Sequence, residues 1–118
     1  MIPRTKLFVS SAGCDGVFGE GKWKLLLAVK EHGSISAAAA SLGRSYRKAW
    51  GDIKRAEEAL GKTLVVRVRG GQNGGNSVLT DFCEELLVAW GKYRHQAHAS
   101  IKTAYTRHLK ELLGPHGS

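Results

Sequence analysis

Apolar side chains recur at two different periods along this 118-residue chain. Near the start, Lys6 to Ser10 alternates polar and apolar positions around Leu7 and Val9, and Asp15-Gly16 within CDGVFG is a turn signal. A short strand or hairpin is expected there. From Lys22 the spacing becomes helical: Trp23, Leu26, Leu27 and the stem of Lys30 return up to His32, and Gly33 fits a C-terminal stop. Ser34 or Ser36 then offers a hydroxyl to an orphaned backbone N–H, capping a second helix over Ala37 to Leu42. Gly43 permits a tight turn, and Ser45 caps a third helix running to about Leu60 and closing at Gly61. Two helices joined through a short glycine turn form a helix-turn-helix.

After Gly61 the period shortens again. TLVVRVR is rich in β-branched residues, GGQNGG is loop chemistry, and NSVL returns as a partner strand, which makes a β-hairpin with a long tip. Thr80 caps a last helix whose stripe of Phe82, Leu86, Trp90, Tyr93, Ala97, Ile101, Ala104, His108 and Leu112 follows intervals of three or four. Running from Asp81 to Leu113, it would extend about 50 Å, too far for one small domain to cover. A second copy of the chain is the expected partner for that stripe. The expected architecture is mainly α with a small β-hairpin: a winged helix-turn-helix over residues 1–80, then a long linker or dimerisation helix and short tail over 81–118.

Charge locates the working surface. Eighteen Lys and Arg against ten Asp and Glu give a formal +8, which favours an anionic partner such as nucleic acid, with membrane lipid as the competing anion. From Ser34 to Arg69 there are eight basic residues and three acidic ones, a net of +5 in the middle of the chain. No run approaches the roughly 18 apolar residues of a membrane span, and the start lacks a secretory apolar block, so a cytoplasmic, nucleoid-associated protein is expected. Cys14 and Cys83 have neither zinc-like spacing nor the density of a disulfide framework.

Placed on a wheel, Ala49, Ile53, Ala56 and Leu60 of the third helix share one face, with Tyr46 at its edge. Arg47, Gly51 and Lys54 fall opposite, flanked by Trp50 and Arg55. A helix can enter the DNA major groove, where Arg or Lys reads guanine and other contacts fix the register on phosphates. Arg47 and Lys54 are the leading base-edge candidates, and Ser36, Arg44, Ser45, Tyr46, Lys48, Gly51 and Arg55 complete the presented surface. The four alanines of the second helix permit close approach of the third, and its serine-bearing start can hold a phosphate.

A basic helical face alone is more often a solvated surface. Here it follows a capped short helix and a glycine turn, and precedes a hairpin carrying Arg67, Arg69, Gln72, Asn73 and Asn76, so separate features agree on DNA. Trp50 is expected to pack at the helix rim. His95 and His98 lack the further ligands of a metal site, Cys83 has no base beside it, and GGQNGG lacks the lysine of a nucleotide-binding loop. No catalysis, metal or cofactor is expected.

GSISAAAASLGRSYRKAW followed by RGGQNGGNSVLTDF resembles the N-terminal DNA-binding domain of ModE-type molybdate-responsive regulators, and more distantly the winged helix of LysR-type regulators. The likeness spans about Gly19 to Leu87. It implies a winged-helix homodimer on palindromic double-stranded DNA, with the third helix in the major groove, the wing on flanking backbone and the last helix as dimer interface. Larger members of that family continue into molybdate-binding domains, which no stretch of this chain resembles, so molybdate binding is not expected of it. The expected function is a dimeric, sequence-specific transcriptional regulator. The alternatives are sequence-independent architectural DNA binding, or helix-mediated assembly without DNA.

Overall fold

A computed structural model of the chain describes residues 1–68 and 76–114. The elements follow in the order β1 (Phe8–Ser11), β2 (Cys14–Gly19), α1 (Glu20–His32), α2 (Ile35–Ser41), α3 (Tyr46–Leu60), β3 (Val65–Val68), β4 (Asn76–Leu79) and α4 (Asp81–His108). β1 pairs antiparallel with β2, and β3 with β4, as two separate two-stranded sheets. The architecture is a winged helix, mainly α, with the β3–β4 wing after α3 and one further hairpin ahead of α1.

Local chemistry sets most boundaries. The Ser34, Ser45 and Thr80 side chains accept from the backbone N–H groups of Ala37, Lys48 and Cys83, so each starts a helix. Ser34 therefore caps α2, and Ser36 lies inside that helix, exposed, with α2 beginning at Ile35 rather than Ala37. Gly33 and Gly61 end α1 and α3 at φ 78° and 66°, the left-handed backbone that glycine adopts without a Cβ clash.

Three expectations change. The first hairpin turns at Ala12-Gly13, whereas Asp15-Gly16 lies inside β2, where the pairing register shifts. Ser10 explains this: its hydroxyl donates to Asp15 Oδ1 at 2.9 Å and accepts from the Gly16 N–H at 2.7 Å, holding the irregularity within the strand. α1 begins at Glu20 rather than Lys22, and it buries Leu25, Leu26, Ala28 and Val29 while Leu27 stays 38% exposed. That helix packs against α2, β2, α3, β4 and α4, so its apolar arc is too wide for a single stripe to define.

The third change concerns the last helix. α4 ends at His108, five residues before Leu113, so that Leu112 lies beyond it and is 81% exposed. Its first turns belong to the core: Cys83, Leu87 and Trp90 are buried with Phe18 and Leu25, and Phe82 and Leu86 pack against them. Trp90 is thus unavailable to a second copy, and Phe82 and Leu86 are partly covered by their own chain. Tyr93 and Ala104 are exposed, Ala97 and Ile101 half-buried, and His108 exposed at the helix end. The chain's own start also reaches α4, because the Tyr105 hydroxyl donates to the Met1 carbonyl at 3.2 Å.

One carboxylate anchors α4 to α1. Glu20 accepts from Trp90 Nε1 at 2.8 Å and Arg94 Nε at 2.6 Å, while Trp23 Nε1 donates to the Leu87 carbonyl at 3.2 Å. The Arg94 guanidinium also lies 5.0 Å from the Trp23 ring centre. Partial burial opposes ionisation of Glu20, but these two hydrogen bonds and the charges of Arg94 and His98 outweigh it and hold the carboxyl below its usual range.

Candidate nucleic-acid interface

α3 divides cleanly into a buried and a presented face. Ala49, Ile53 and Ala56 are at most 2% exposed, and against them sit Ala38 and Ala39 of α2, at most 1% exposed. Small side chains on both helices let their backbones approach closely, which tips the opposite face of α3 outward. Arg47 is exposed there and makes no ion pair among the described residues. A Cβ on Gly51 would meet only the Arg55 guanidinium, 3.2 Å away, so the centre of the face is low.

Lys54, Arg55 and Arg44 are more engaged. Lys54 pairs with Glu57 Oε1 at 3.2 Å, and Arg55 with Asp52 Oδ1 at 2.7 Å. Arg44 Nη1 donates to the Gly21 carbonyl at 3.3 Å, and Lys48 is exposed. Ser45 lends its oxygen to the α3 cap, and its hydroxyl proton can still be donated outward. Trp50 departs from the expected packing role: it is 44% exposed, with the Lys54 ammonium 5.6 Å from its ring centre. The residues that α3 buries in the core are Ala49, Ile53 and Ala56, and Trp50 is not among them.

The wing is joined to α3 along one flank. Glu57 accepts from the Leu64 and Val65 N–H groups at 2.8 and 3.2 Å, and Arg67 Nη2 donates to the Tyr46 hydroxyl at 3.4 Å. Burial opposes ionisation of Glu57, but those two N–H groups and Lys54 outweigh it and keep the carboxyl below its usual range. β4 is tied back through the Ser77 N–H to the Gly33 carbonyl at 2.7 Å. Arg67 and Asn76 are exposed on the paired strands of the wing. Arg69, Gln72 and Asn73 lie outside the described residues.

The structure thus gathers Arg44, Ser45, Arg47, Lys48, Gly51, Lys54 and Arg67 around one helix, with Ser36 on the preceding one. Glu57 was missed from the sequence, because a carboxylate amid basic residues reads as surface charge. Its only signal is a position eight residues before the strand it caps. Cys83 is fully buried and burial, with Glu84 and Glu57 nearby, pushes its thiol up to about 12, so it is no nucleophile near neutral pH. Among the described residues, no helix is long and apolar enough to cross a membrane.

Comparison with known proteins agrees with this geometry. The chain is 40% identical over 73 residues to the molybdenum-pterin-binding protein MopB of Rhodobacter capsulatus, covering 62% of this chain and 27% of that protein. It is 37% identical over 91 residues to the molybdenum transport protein ModE of Azotobacter vinelandii, covering 77% and 33% respectively. The chain therefore spans about a quarter to a third of these relatives' length. In fold it matches a crystal structure of a CbnR_DBD–DNA complex with a TM-score of 0.59 at 23% identity, over 74% of this chain and 94% of that one. The family model for bacterial regulatory helix-turn-helix proteins of the lysR family matches residues 21–84, from the first turn of α1 to the first turn of α4, and the chain belongs to that family.

Proposed function

We propose that this chain is a sequence-specific, duplex-DNA-binding transcriptional regulator acting as a homodimer, with α3 in the major groove and the β3–β4 wing on the adjoining backbone. The observation that carries this is the outward edge of α3: Arg47, without an ion pair among the described residues, and the half-exposed Lys54 on either side of the low Gly51, with the wing fastened along one flank. Arg47 and Lys54 address base edges. Ser36, Arg44, Ser45, Tyr46, Lys48 and Arg55 hold phosphates around them, and Arg67 and Asn76, with Arg69, Gln72 and Asn73, give the wing its backbone contacts.

Pairing is assigned to α4 beyond the core, through Tyr93, Ala97, Ile101 and Ala104, with His108 at its end. Tyr93 is 48% exposed although its ring touches Trp90, the edge of an apolar path that a second copy would cover. These residues are assigned DNA and self-association but no molybdate site, since the family model that matches residues 21–84 is a helix-turn-helix. No catalytic role is assigned, and the place of action is the bacterial cytoplasm, where the DNA is.

Selection of duplexes from a random pool, read by sequencing, tests this directly. A two-fold symmetric site is expected, and log K should fall against log salt with a slope near −7 if the dimer neutralises about eight phosphates. Equal competition by random duplex would replace the specific regulator with an architectural binder. A slope near zero would exclude any DNA role and leave α4 as an assembly helix.

A further inference from the structure

α3 is flanked on its other side by the hairpin that precedes α1. A groove of about 600 Å³ lies between β1–β2, the first turns of α1 and the start of α3. Its cations are Lys6, Lys22, Lys24, Arg44 and Lys48, and its acids are Glu20 and Asp52. Both acids are already matched from outside the groove: Glu20 by Arg94, Asp52 by Arg55. None of the five cations makes an ion pair among the described residues. Two of them are oriented without being neutralised, since Lys22 Nζ donates to the Gly16 carbonyl at 3.0 Å and Arg44 Nη1 to the Gly21 carbonyl at 3.3 Å.

Five unmatched positive charges along one exposed groove repel one another unless an anion lies between them. Arg44 and Lys48 belong to this groove and to the α3 surface alike, so an extended polyanion lying across α3 would continue into it. We propose that the groove is a second backbone-binding surface, in which Lys22, Lys24 and Lys6 hold phosphodiester oxygens of the duplex on the side of α3 away from the wing. The proposal rests on the DNA reading above and deepens it: α3 would be gripped between two hairpins.

The test is the salt dependence of duplex binding by the full chain. Each phosphate that is no longer neutralised makes the slope shallower by about 0.9, so Lys24→Gln in a dimer should reduce it by about 1.8, with preference among duplex sequences unchanged. Lys24 is exposed and holds nothing in the fold, so this variant reads binding alone. Adding Lys22→Gln, which retains an N–H donor for the Gly16 carbonyl, should flatten the slope further. Lys102→Gln, on the exposed distal part of α4, removes the same charge and should leave the slope as it was. Slopes for Lys24→Gln and Lys102→Gln that match each other overturn the proposal. So do saturable amide shifts of Lys22 and Lys24 with inorganic phosphate when the duplex slope is unchanged, which would make the groove a small-anion site. A wild-type chain that binds no duplex sinks the regulator reading as well, whereas a steep wild-type slope retained by the groove variants sinks only the groove.

Discussion

Replacing Gly51 separates stability from DNA contact, because the two should move in opposite directions. Glycine inside a helix is about 0.5–1 kcal/mol less favourable than alanine, and Gly51 sits mid-helix in α3. The new methyl would lie 3.2 Å from Arg55 Nη1 and 3.7 Å from both its Cζ and its Nη2. Arg55 is a flexible side chain, 66% exposed, and can give way by a few tenths of an ångström. If that loosens its pair with Asp52, the loss is a fraction of a surface pair worth at most about 1 kcal/mol. Gly51→Ala should therefore stabilise the fold by about 0.5 kcal/mol, raising Tm by about 2–4 °C. With α3 in the major groove as proposed, the same methyl would stand where the helix meets the groove floor, so affinity should fall by about tenfold, the equivalent of one base contact at about 1–3 kcal/mol. Gly51→Leu should lose more. Thermal melts and duplex titrations on the same preparations read both quantities. Raised stability with undiminished affinity in both variants would refute the placement of this face in the groove, and lowered stability would refute the packing described for Gly51.

Other substitutions probe the wing, the contact roles and the pairing. Glu57→Ala leaves the N–H groups of buried Leu64 and Val65 without their acceptor and should destabilise by about 2–4 kcal/mol in urea unfolding, while Glu57→Gln, which keeps an oxygen there, should lose less. Because the folded Glu57 carboxyl titrates below its usual range, its contribution is present above the ordinary carboxylate pKa of about 4.3 and is lost as pH falls through the lower folded value. Wild-type stability should thus fall more steeply below about pH 4 than that of Glu57→Gln, with Glu20 supplying a residual fall in both. Arg47→Ala should relax sequence preference and Arg69→Ala weaken all duplexes about equally; equal effects would refute the division between base and backbone contact. A chain ending at His95 keeps Trp90 and Arg94 with their Glu20 contacts, so it should fold yet sediment as a monomer with weakened duplex affinity. Retained dimers would move the interface off the distal helix.

The helix-turn-helix was legible because its boundaries are local chemistry. Ser45, Gly61 and Thr80 each act on a backbone group within four residues, a range over which the sequence specifies the partner. Features set by distant partners were not legible. Leu27 and Leu26 are equivalent by spacing, and only the several elements packed around α1 decide which is covered. Asp15-Gly16 has the composition of a turn, yet the Ser10 hydroxyl places it within a strand. On α4 the apolar spacing runs unbroken past the residues that the core covers: as far as Trp90 the opposing surface is the chain's own core, and periodicity carries no mark of where that cover ends.

The same distinction bears on how two copies would read a site. If α4 carries pairing, the distance between two α3 helices follows from the direction in which α4 leaves the core, and a small rotation at its base is amplified along a helix of about 40 Å. Apolar packing alone fixes such a direction poorly, because neighbouring crossing angles have similar buried area. Hydrogen bonds do not share that tolerance: the Trp90 and Arg94 donors converge on the single Glu20 carboxylate at 2.8 and 2.6 Å, and the Trp23 indole meets the Leu87 carbonyl at 3.2 Å from the other helix. Glu20 lies in the first turn of α1, where a negative charge is favoured by the helix dipole, and the same turn lines the groove beside α3. The direction of α4 and the position of α3 are therefore referred to one point in the fold, and with α4 as the pairing helix, as proposed, half-site spacing becomes a property of the α1 start as much as of α4 itself.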